Sequence, residues 1–321
     1  MTDGSKQTGV SIVLALGHDS EFIEHALQSV REQTYVDWEL IIVDNGAEHP
    51  ERVDRLIADD PRMVMVAINH SATAGLARNV GVAQTSMELI TFLDDDDVWV
   101  PERLSRHVTR HLEQPGAPAS FSGYWHMTAT GAHFGTDWRS RQTPASEILR
   151  GAAPTPLGPT LMIRREAFAA VGGHSPEVPI LVDFELGLRL ALQGDLIYID
   201  ELLVGYRRHS SNMTSTAPDN VRLRRESMDD MVQRQLRAAL RRGDAEVAGL
   251  FAERLARFRR SESHSAGGGA IRHLRHGQWG NALKNVSWGV SRAPRAFLSG
   301  VLTTLGSRLK RRSARTTAAR S

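Results

Sequence analysis

The sequence has no cysteine among its 321 residues, and this absence excludes several kinds of chemistry. Without thiols the chain forms no disulfide framework, no thiolate zinc site and no cysteine nucleophile. No apolar run reaches the roughly 18 residues that span a bilayer, and residues 1–9 are too polar for the start of a secretory signal. We therefore expect a cytoplasmic chain that is neither exported nor transmembrane.

Acidic residues are scarce at the carboxyl-terminal end. Residues 254–321 hold 15 Lys and Arg but one acid, Glu262. Of the totals of 39 bases and 37 acids, residues 1–253 therefore hold 24 bases and 36 acids. The net charge is near −12 for residues 1–253 and near +14 for residues 254–321. An acidic body is a poor nucleic-acid binder, so we expect no nucleic-acid partner. A cationic tail instead attracts anionic lipid headgroups or other polyanions.

Apolar periodicity predicts short buried strands that alternate with helices in the first part of the chain. The predicted strands are Val10–Leu16, Trp38–Val43, Met63–Ile68 and Glu88–Leu93, and the helices are Ser20–Gln33, Glu51–Ala58 and Ala74–Gln84. This alternation indicates an α/β fold with a parallel sheet. The following part is more mixed, with strand-like residues at Ala119–Gly135, helices at Arg165–Val171 and Leu181–Leu192, and a strand at Leu196–Ile199.

Acidic residues follow two of these strands directly. Asp44 follows Val43, and the run Asp94–Asp97 follows Leu93. Ligands of open α/β sheets bind at the carboxyl ends of the strands. Four adjacent carboxylates repel one another, and a hard divalent cation such as Mg²⁺ or Mn²⁺ compensates that charge. The alternative is a solvated acidic loop that caps the helix beginning at Pro101, but the position after a buried strand favours the cation site.

The segment at residues 92–104, FLDDDDVWVPERL, resembles the aspartate-x-aspartate segment of family 2 glycosyltransferases with the GT-A fold. Other segments resemble further parts of that family: VSIV at 10–13, SVREQT at 29–34, ELIIVDNG at 39–46, ARNVG at 77–81, LVDFELGLRL at 181–190 and YRRHSSNMT at 206–214. The resemblance implies a GT-A fold, a Rossmann-like mixed sheet flanked by helices, here with a C-terminal helical extension. It implies inverting sugar transfer, dependent on Mn²⁺ or Mg²⁺, from a nucleotide-diphosphate sugar to a glycan or lipid-linked acceptor.

The resemblance also implies roles for individual residues. Asp44 would contact the nucleotide base, Arg78 would lie near the nucleotide, and Asp183 would be the general base. The remaining implied positions are Ala15, Asp94, Asp95 and His209 for the donor, and Asp96 and His209 for the metal. Val182 stands where the family commonly has glutamate, and Glu185 lies two residues after Asp183. The alternative for Asp183 is a helix cap.

The sequence departs from the family pattern in ways that leave the donor open. Ala15, Leu16 and His18 replace the usual residues after the first strand, and Asn45 replaces an aspartate. No glutamine-x-x-arginine-tryptophan motif follows, which favours a single-addition enzyme over a processive synthase. Two alternatives remain, a non-catalytic sugar-nucleotide-binding scaffold and a sugar nucleotidyltransferase. The glycine-rich signatures of nucleotidyltransferases, P-loop proteins and dinucleotide-binding proteins are absent.

We predict a catalytic domain at residues 1–215, a helical extension at 216–260, a flexible linker at 261–269 and a basic amphipathic tail at 270–321. An apolar helical stripe in the tail indicates attachment to the cytoplasmic face of the plasma membrane, formed by Phe297, Leu298, Val301, Leu302, Leu305 and Leu309. The alternative is that this helix packs on the acidic body.

Two histidines, His107 and His111, stand four residues apart on a predicted helix. This spacing is found in zinc sites, but no glutamate occupies the metalloprotease position between them. We expect both side chains on a solvated helix face.

Overall fold

A computed structural model describes residues 8–68, 72–178, 180–209 and 218–305 of the chain. The chain divides into two compact units, Met1–Ser215 and Thr216–Ser321. Within the described ranges, the strands belong to the first unit and the second unit is helical. No helix among these residues is both long enough and apolar enough to cross a membrane.

The first unit is built around one eight-stranded sheet. Its strands are β1 (Val10–Leu16), β2 (Trp38–Asp44), β3 (Met63–Ala67), β4 (Leu89–Leu93), β5 (Val98–Trp99), β6 (Ala119–Thr128), β7 (Leu161–Arg164) and β8 (Ile197–Arg208). The strand order is β3-β2-β1-β4-β7-β6-β8-β5. β3, β2, β1 and β4 are mutually parallel, whereas β7 is antiparallel to both of its neighbours, β4 and β6. The sheet is therefore mixed, as the GT-A resemblance implied.

Helices connect and cover these strands. In the first unit they are α1 (Ile23–Arg31), α2 (Pro50–Ile57), α3 (Ala74–Ala83), α4 (Arg103–Glu113), α5 (Ala145–Leu149), α6 (Arg165–Ala170) and α7 (Val182–Ala191). A short 3₁₀ helix at Gly158–Thr160 precedes β7. In the second unit they are α8 (Pro218–Arg242), α9 (Ala245–Arg275) and α10 (Trp279–Arg292). Residues 294–305, here called the terminal helix, are also helical.

The parallel strands form because their side chains are apolar on both faces. All residues of β4 are buried, and β1 and β2 are buried at nearly every position. Helix α1 covers one face of this core with Ile23, Leu27 and Val30, which recur at helical spacing. The predicted βαβ order through Leu93 is therefore observed, with element ends shifted by a few residues.

The prediction of a flexible linker at residues 261–269 is wrong. These residues lie inside α9, and Ser263, Gly267, Gly268 and Gly269 are buried there. The glycines leave room for neighbouring side chains and backbone: a Cβ on Gly269 would lie 2.8 Å from the Asn285 amide, and one on Gly267 would overlap the backbone of Phe297. Glycine here permits close helix packing rather than chain flexibility.

The predicted tail stripe divides between two environments. Phe297 is buried against Ala266 and Ala270 of α9, with Val301 packed against the same cluster. Leu298, Leu302 and Leu305 are exposed. Leu309 lies outside the described residues, as do residues 210–214 of the predicted catalytic segment. The terminal helix is therefore partly packed within its own unit.

Candidate active site

The carboxyl ends of β2, β1 and β4 lie side by side because these three strands are parallel neighbours. This arrangement brings Ala15, Asp44 and Asp94 to the same edge of the sheet. Asp44 is buried, and its Oδ1 accepts hydrogen bonds from the backbone N–H groups of Gly46 and Ala47, at 3.0 and 2.9 Å. Gly46 has φ 124°, a conformation that favours glycine, so the carboxylate stabilises a tight turn at this edge.

The aspartates after β4 form a compact carboxylate cluster. One oxygen from each of Asp94, Asp96 and Asp97 lies within 4.8 Å of the others. Asp97 is fully buried, and its Oδ2 has no hydrogen-bond partner within the described part of the chain. These aspartates do not cap the next helix, since α4 begins at Arg103 without a side-chain cap. The cluster fits a hard divalent cation, whose preferred ligands are carboxylate oxygens.

Burial and mutual repulsion raise the pKa values of these aspartates. Burial is the larger cause for Asp95, whose pKa rises to about 6, and neighbouring Asp96 adds to the shift. The pKa of Asp97 lies well above its ordinary value because the carboxyl is buried beside Asp96 and Asp94. Burial also raises the pKa values of Asp94 and Asp96. A bound cation would offset this cost because it favours the charged carboxylates.

Arg78 connects the aspartate cluster to the predicted general base. Its Nη2 donates to Asp94 Oδ1 at 2.5 Å, and its Nη1 donates to Asp183 Oδ1 at 2.8 Å. Burial alone would lower the pKa of Arg78, but the two carboxylates outweigh it and raise the pKa. The guanidinium is therefore a buried positive charge between two acids that the sequence places 89 residues apart.

Asp183 lies in the first turn of α7, where two local features fix its position. The preceding Leu181 has φ 62°, a left-handed conformation that is costly for leucine. A Cβ on Gly158 would overlap the Asp183 carboxylate, so glycine at that position leaves the space that the carboxylate occupies. Leu181 is the N-cap residue and makes no side-chain cap bond. Asp183 is therefore not the helix cap, and its carboxylate points to Arg78.

Glu185, the other acid near this position, has a different environment. Its carboxylate is buried and accepts two hydrogen bonds from Arg189, from Nε at 2.7 Å and from Nη2 at 2.5 Å. This ion pair lies within α7 at an i,i+4 spacing. The geometry thus favours Asp183 over Glu185 as the acid that faces the aspartate cluster.

His209 and Arg207 contact the cluster from the end of β8. His209 Nε2 lies 2.9 Å from Asp96 Oδ2, and its ring packs against Phe22 at a centroid distance of 5.1 Å. Arg207 donates its backbone N–H to Asp97 Oδ1 at 3.0 Å and its Nε–H to the Asp96 carbonyl at 2.8 Å. His209 is thus placed to share a cation with Asp96.

The structure adds Arg207 to the predicted site and gives Asp97 a position of its own within it. Asp97 belongs to the aspartate run, but only its burial distinguishes it from the others. Asp95 has a separate environment, since its Oδ2 lies 3.9 Å from His18 Nε2 and its carbonyl accepts a hydrogen bond from Ser20. Arg78 bonds Asp94 and Asp183, and His209 contacts Asp96. These two groups meet where carboxylate oxygens of Asp94 and Asp96 lie within 4.8 Å of each other, whereas Ala15 and Asp44 lie along the strand edge.

The prediction that His107 and His111 face solvent is wrong. Both are buried in α4 and share the hydroxyl of Ser120, at 2.7 Å from His107 Nδ1 and 3.0 Å from His111 Nε2. Burial lowers the pKa of His111 to about 4 and that of His107 well below its usual value. They are neutral core residues bonded to β6.

Comparison with known proteins identifies the family. Residues 11–172, half of the chain, match the family described as Glycosyl transferase family 2. The chain belongs to this family. The predicted family and GT-A fold are therefore confirmed, and the prediction of a glycosyltransferase is confirmed at the level of the family.

Relatives with assigned names match different shares of this chain. An Escherichia coli protein named UDP-Glc:alpha-D-GlcNAc-diphosphoundecaprenol beta-1,3-glucosyltransferase WfgD is 30% identical over 104 residues, which are 32% of this chain and 41% of that protein. A Bacillus subtilis protein named putative teichuronic acid biosynthesis glycosyltransferase TuaG is 27% identical over 210 residues, 64% of this chain and 81% of that protein. The chain thus spans less than half of the first relative and most of the second.

Solved structures of the same fold include Staphylococcus aureus TarS, residues 1–349, in complex with UDP-GlcNAc. The TM-score is 0.64 at 17% identity, and the match covers 90% of this chain and 82% of the TarS chain. At this identity the comparison establishes the fold.

Proposed function

We propose that this glycosyltransferase moves a sugar from a nucleotide-diphosphate sugar to an acceptor hydroxyl with inversion, assisted by Mn²⁺ or Mg²⁺. The observation that carries the proposal is the bridge made by Arg78 between Asp94 and Asp183. The bridge supports the proposal because it joins Asp183, the acid that would accept a proton, to Asp94 of the cluster that would hold the donor's cation.

The donor's nucleotide would lie along the strand edge, beside Ala15 and Asp44. Asp94 lies at that same edge and Arg78 joins it to the general base, which suits both residues, with the adjacent Asp95, to the donor's diphosphate and sugar. The UDP-GlcNAc complex of TarS and the UDP-Glc in the name of the E. coli relative support a uridine nucleotide. Ala15, Leu16 and Asn45 differ from the family pattern, so the identity of the transferred sugar stays open.

Asp96 and His209 would hold the cation, with Asp94 and Asp97 close enough to contribute oxygens. When bound, the cation neutralises negative charge on the leaving diphosphate. His209 must be neutral to coordinate it, because a protonated imidazole has no free lone pair.

Asp183 would accept the proton of the acceptor hydroxyl while the hydroxyl oxygen bonds to the anomeric carbon. The bond from that carbon to the diphosphate oxygen breaks with its electron pair staying on the diphosphate. One displacement inverts the anomeric centre. General-base assistance of this kind contributes roughly 10² to 10⁴-fold in rate. Arg78 would hold the Asp183 carboxylate in position beside the aspartate cluster.

Glycan or lipid-linked acceptors of the cell envelope fit the relatives' names, which refer to a diphosphoundecaprenol acceptor and to teichuronic acid biosynthesis. An acceptor of that kind would lie at the cytoplasmic face of the plasma membrane, so we propose a cytoplasmic enzyme that acts at that face.

A thermal-shift screen of nucleotide sugars with and without Mn²⁺ tests donor binding. We expect one donor to raise Tm by mass action only when Mn²⁺ is present, and Asp96→Ala to abolish that dependence on the metal. Asp19→Ala, in a separate exposed acidic cluster, is the matched control and should respond like the unchanged protein. A rise in Tm that does not need Mn²⁺ would contradict the cation site.

Donor binding without turnover would instead indicate a scaffold, and pyrophosphate release would indicate nucleotidyl transfer.

A further inference from the structure

The helices at the end of the described chain leave large apolar side chains exposed. On α10 these are Trp279, Leu283, Val286 and Val290, here called the α10 stripe. On the terminal helix they are Leu298, Leu302 and Leu305, here called the terminal stripe. Trp279 is 66% exposed, and Leu283 and Leu302 are each 68% exposed. Such a concentration of exposed apolar side chains indicates a binding surface.

Both stripes lie away from the faces that pack inside the second unit. The α10 residues recur at steps of three and four, so they line one side of the helix. The inward side of α10 carries the buried residues Ala282, Trp288 and Gly289. On the terminal helix the inward residue Phe297 packs near Gly289 and on α9. Packing within the unit therefore covers the inward residues and leaves both stripes exposed.

The basic residues near the two stripes indicate which kind of partner binds them. Residues 263–321 contain 11 Lys and Arg and no acid, and four of these cations are exposed on the two helices and their approach: Arg272, Arg275, Lys284 and Arg295. Arg292 instead faces Asp229, at 3.8 Å. A second copy of this chain would bring like charges together at such a face. An anionic lipid surface complements them and accepts apolar side chains between its headgroups.

We propose that the α10 stripe and the terminal stripe together dock this protein on an anionic membrane surface. The helices lie in the plane of the interface, with leucines and Trp279 inserted among the headgroups and the basic residues bound to phosphates. Trp279 suits this position because tryptophan is enriched at the membrane–water boundary. This inference does not depend on the proposed sugar transfer.

Vesicle co-sedimentation of the full chain tests the proposal. The probes are phosphatidylcholine vesicles with and without phosphatidylglycerol. We expect the unchanged protein to sediment with the anionic vesicles only, and the double variant Leu283→Glu, Leu302→Glu to lose roughly tenfold or more of that binding. Leu240→Glu is the matched control, because Leu240 is 61% exposed on α8 and outside both stripes. The control should bind like the unchanged protein.

Circular dichroism melting of each variant establishes that the helices still fold. Equal sedimentation of the double variant and the control would overturn the proposal, as would a failure of the unchanged protein to sediment. A dimer in analytical ultracentrifugation that the double variant dissociates, without vesicle binding, would assign the stripes to a second copy instead.

Discussion

Arg78 shows how one side chain organises acids from separate elements. It belongs to α3, whereas Asp94 follows β4 and Asp183 begins α7. Two carboxylates this close would repel each other without a positive charge between them. The guanidinium fork contacts both, a geometry that lysine does not reproduce. Sequence spacing alone predicts no such bridge, because the three residues meet only when the sheet and α7 have assembled.

His107 and His111 belong to the buried face of α4. Leu104, His107, Val108 and His111 recur at the spacing of one buried helix face, and all four are buried. The two polar residues on that face are tolerated because Ser120 hydrogen-bonds both rings. Counting histidine as part of the stripe would have predicted their burial.

The buried neutral His111 makes stability depend on pH. Its folded pKa of about 4 lies below the unfolded value of about 6.5, so the unfolded chain binds the proton more tightly. The free energy of unfolding should therefore fall as pH drops from 6.5 towards 4, by up to about 3 kcal/mol from this residue. Urea unfolding at pH 7 and pH 4.5 measures the loss.

The variant His111→Gln isolates that contribution because glutamine does not titrate. We expect a smaller loss of stability between the two pH values in this variant than in the unchanged protein. The raised pKa values of the buried aspartates act in the opposite direction in both proteins and cancel in the comparison. An identical loss would show that folding does not lower the pKa of His111.

At the scale of elements, the first half of the sheet could be predicted and the second half only in part, since the patterns at Ala119–Gly135 and Leu196–Ile199 correspond to β6 and to the start of β8. β1 to β4 follow from local patterns, since each buried strand is separated from the next by an amphipathic helix. β5, β7 and β8 are set by pairing between distant segments, such as Val98 with Gly205 and Leu89 with Arg164. Such antiparallel insertions depend on the assembled sheet rather than on local sequence.

The environment of the glycines in α9 also depends on contacts with distant segments, which local sequence does not show. A run of three glycines, at 267–269, is typical of a flexible linker when it is considered locally. In the folded unit Gly267 faces the backbone of Phe297, Gly268 faces Thr304 and Gly269 faces Asn285. The signal that favours packing is the presence of further small residues, Gly289 and Gly300, on the neighbouring helices.

A matched pair of substitutions in α9 separates packing from flexibility. Gly267→Ala should destabilise the second unit by about 1–3 kcal/mol, because the added methyl overlaps the backbone of the terminal helix. Gly249→Ala in the same helix meets nothing within 4 Å and should stabilise by roughly 0.5–1 kcal/mol. Thermal unfolding of both variants provides the measurement. Stabilisation by both alanines would contradict close packing at Gly267.

For the whole molecule, charge is divided unevenly along the chain. The acidic first part carries the carboxylate cluster, whereas the end of the chain is basic and exposes apolar stripes. The charge division can be predicted from residue counts, and the family segments can be recognised in the sequence. Composition did not distinguish which apolar residues of the tail pack inward, since that depends on contacts with α9 and α10.

In the proposed reaction, Asp183 removes the acceptor's proton beside a cation-bound donor. The most direct test measures turnover and donor affinity of Asp183→Asn under the same conditions, with Glu185→Gln as the control acid in the same helix. We expect Asp183→Asn to keep donor affinity and to lose roughly 10² to 10⁴-fold in kcat. Glu185→Gln should retain far more activity. Normal turnover by Asp183→Asn would contradict the account.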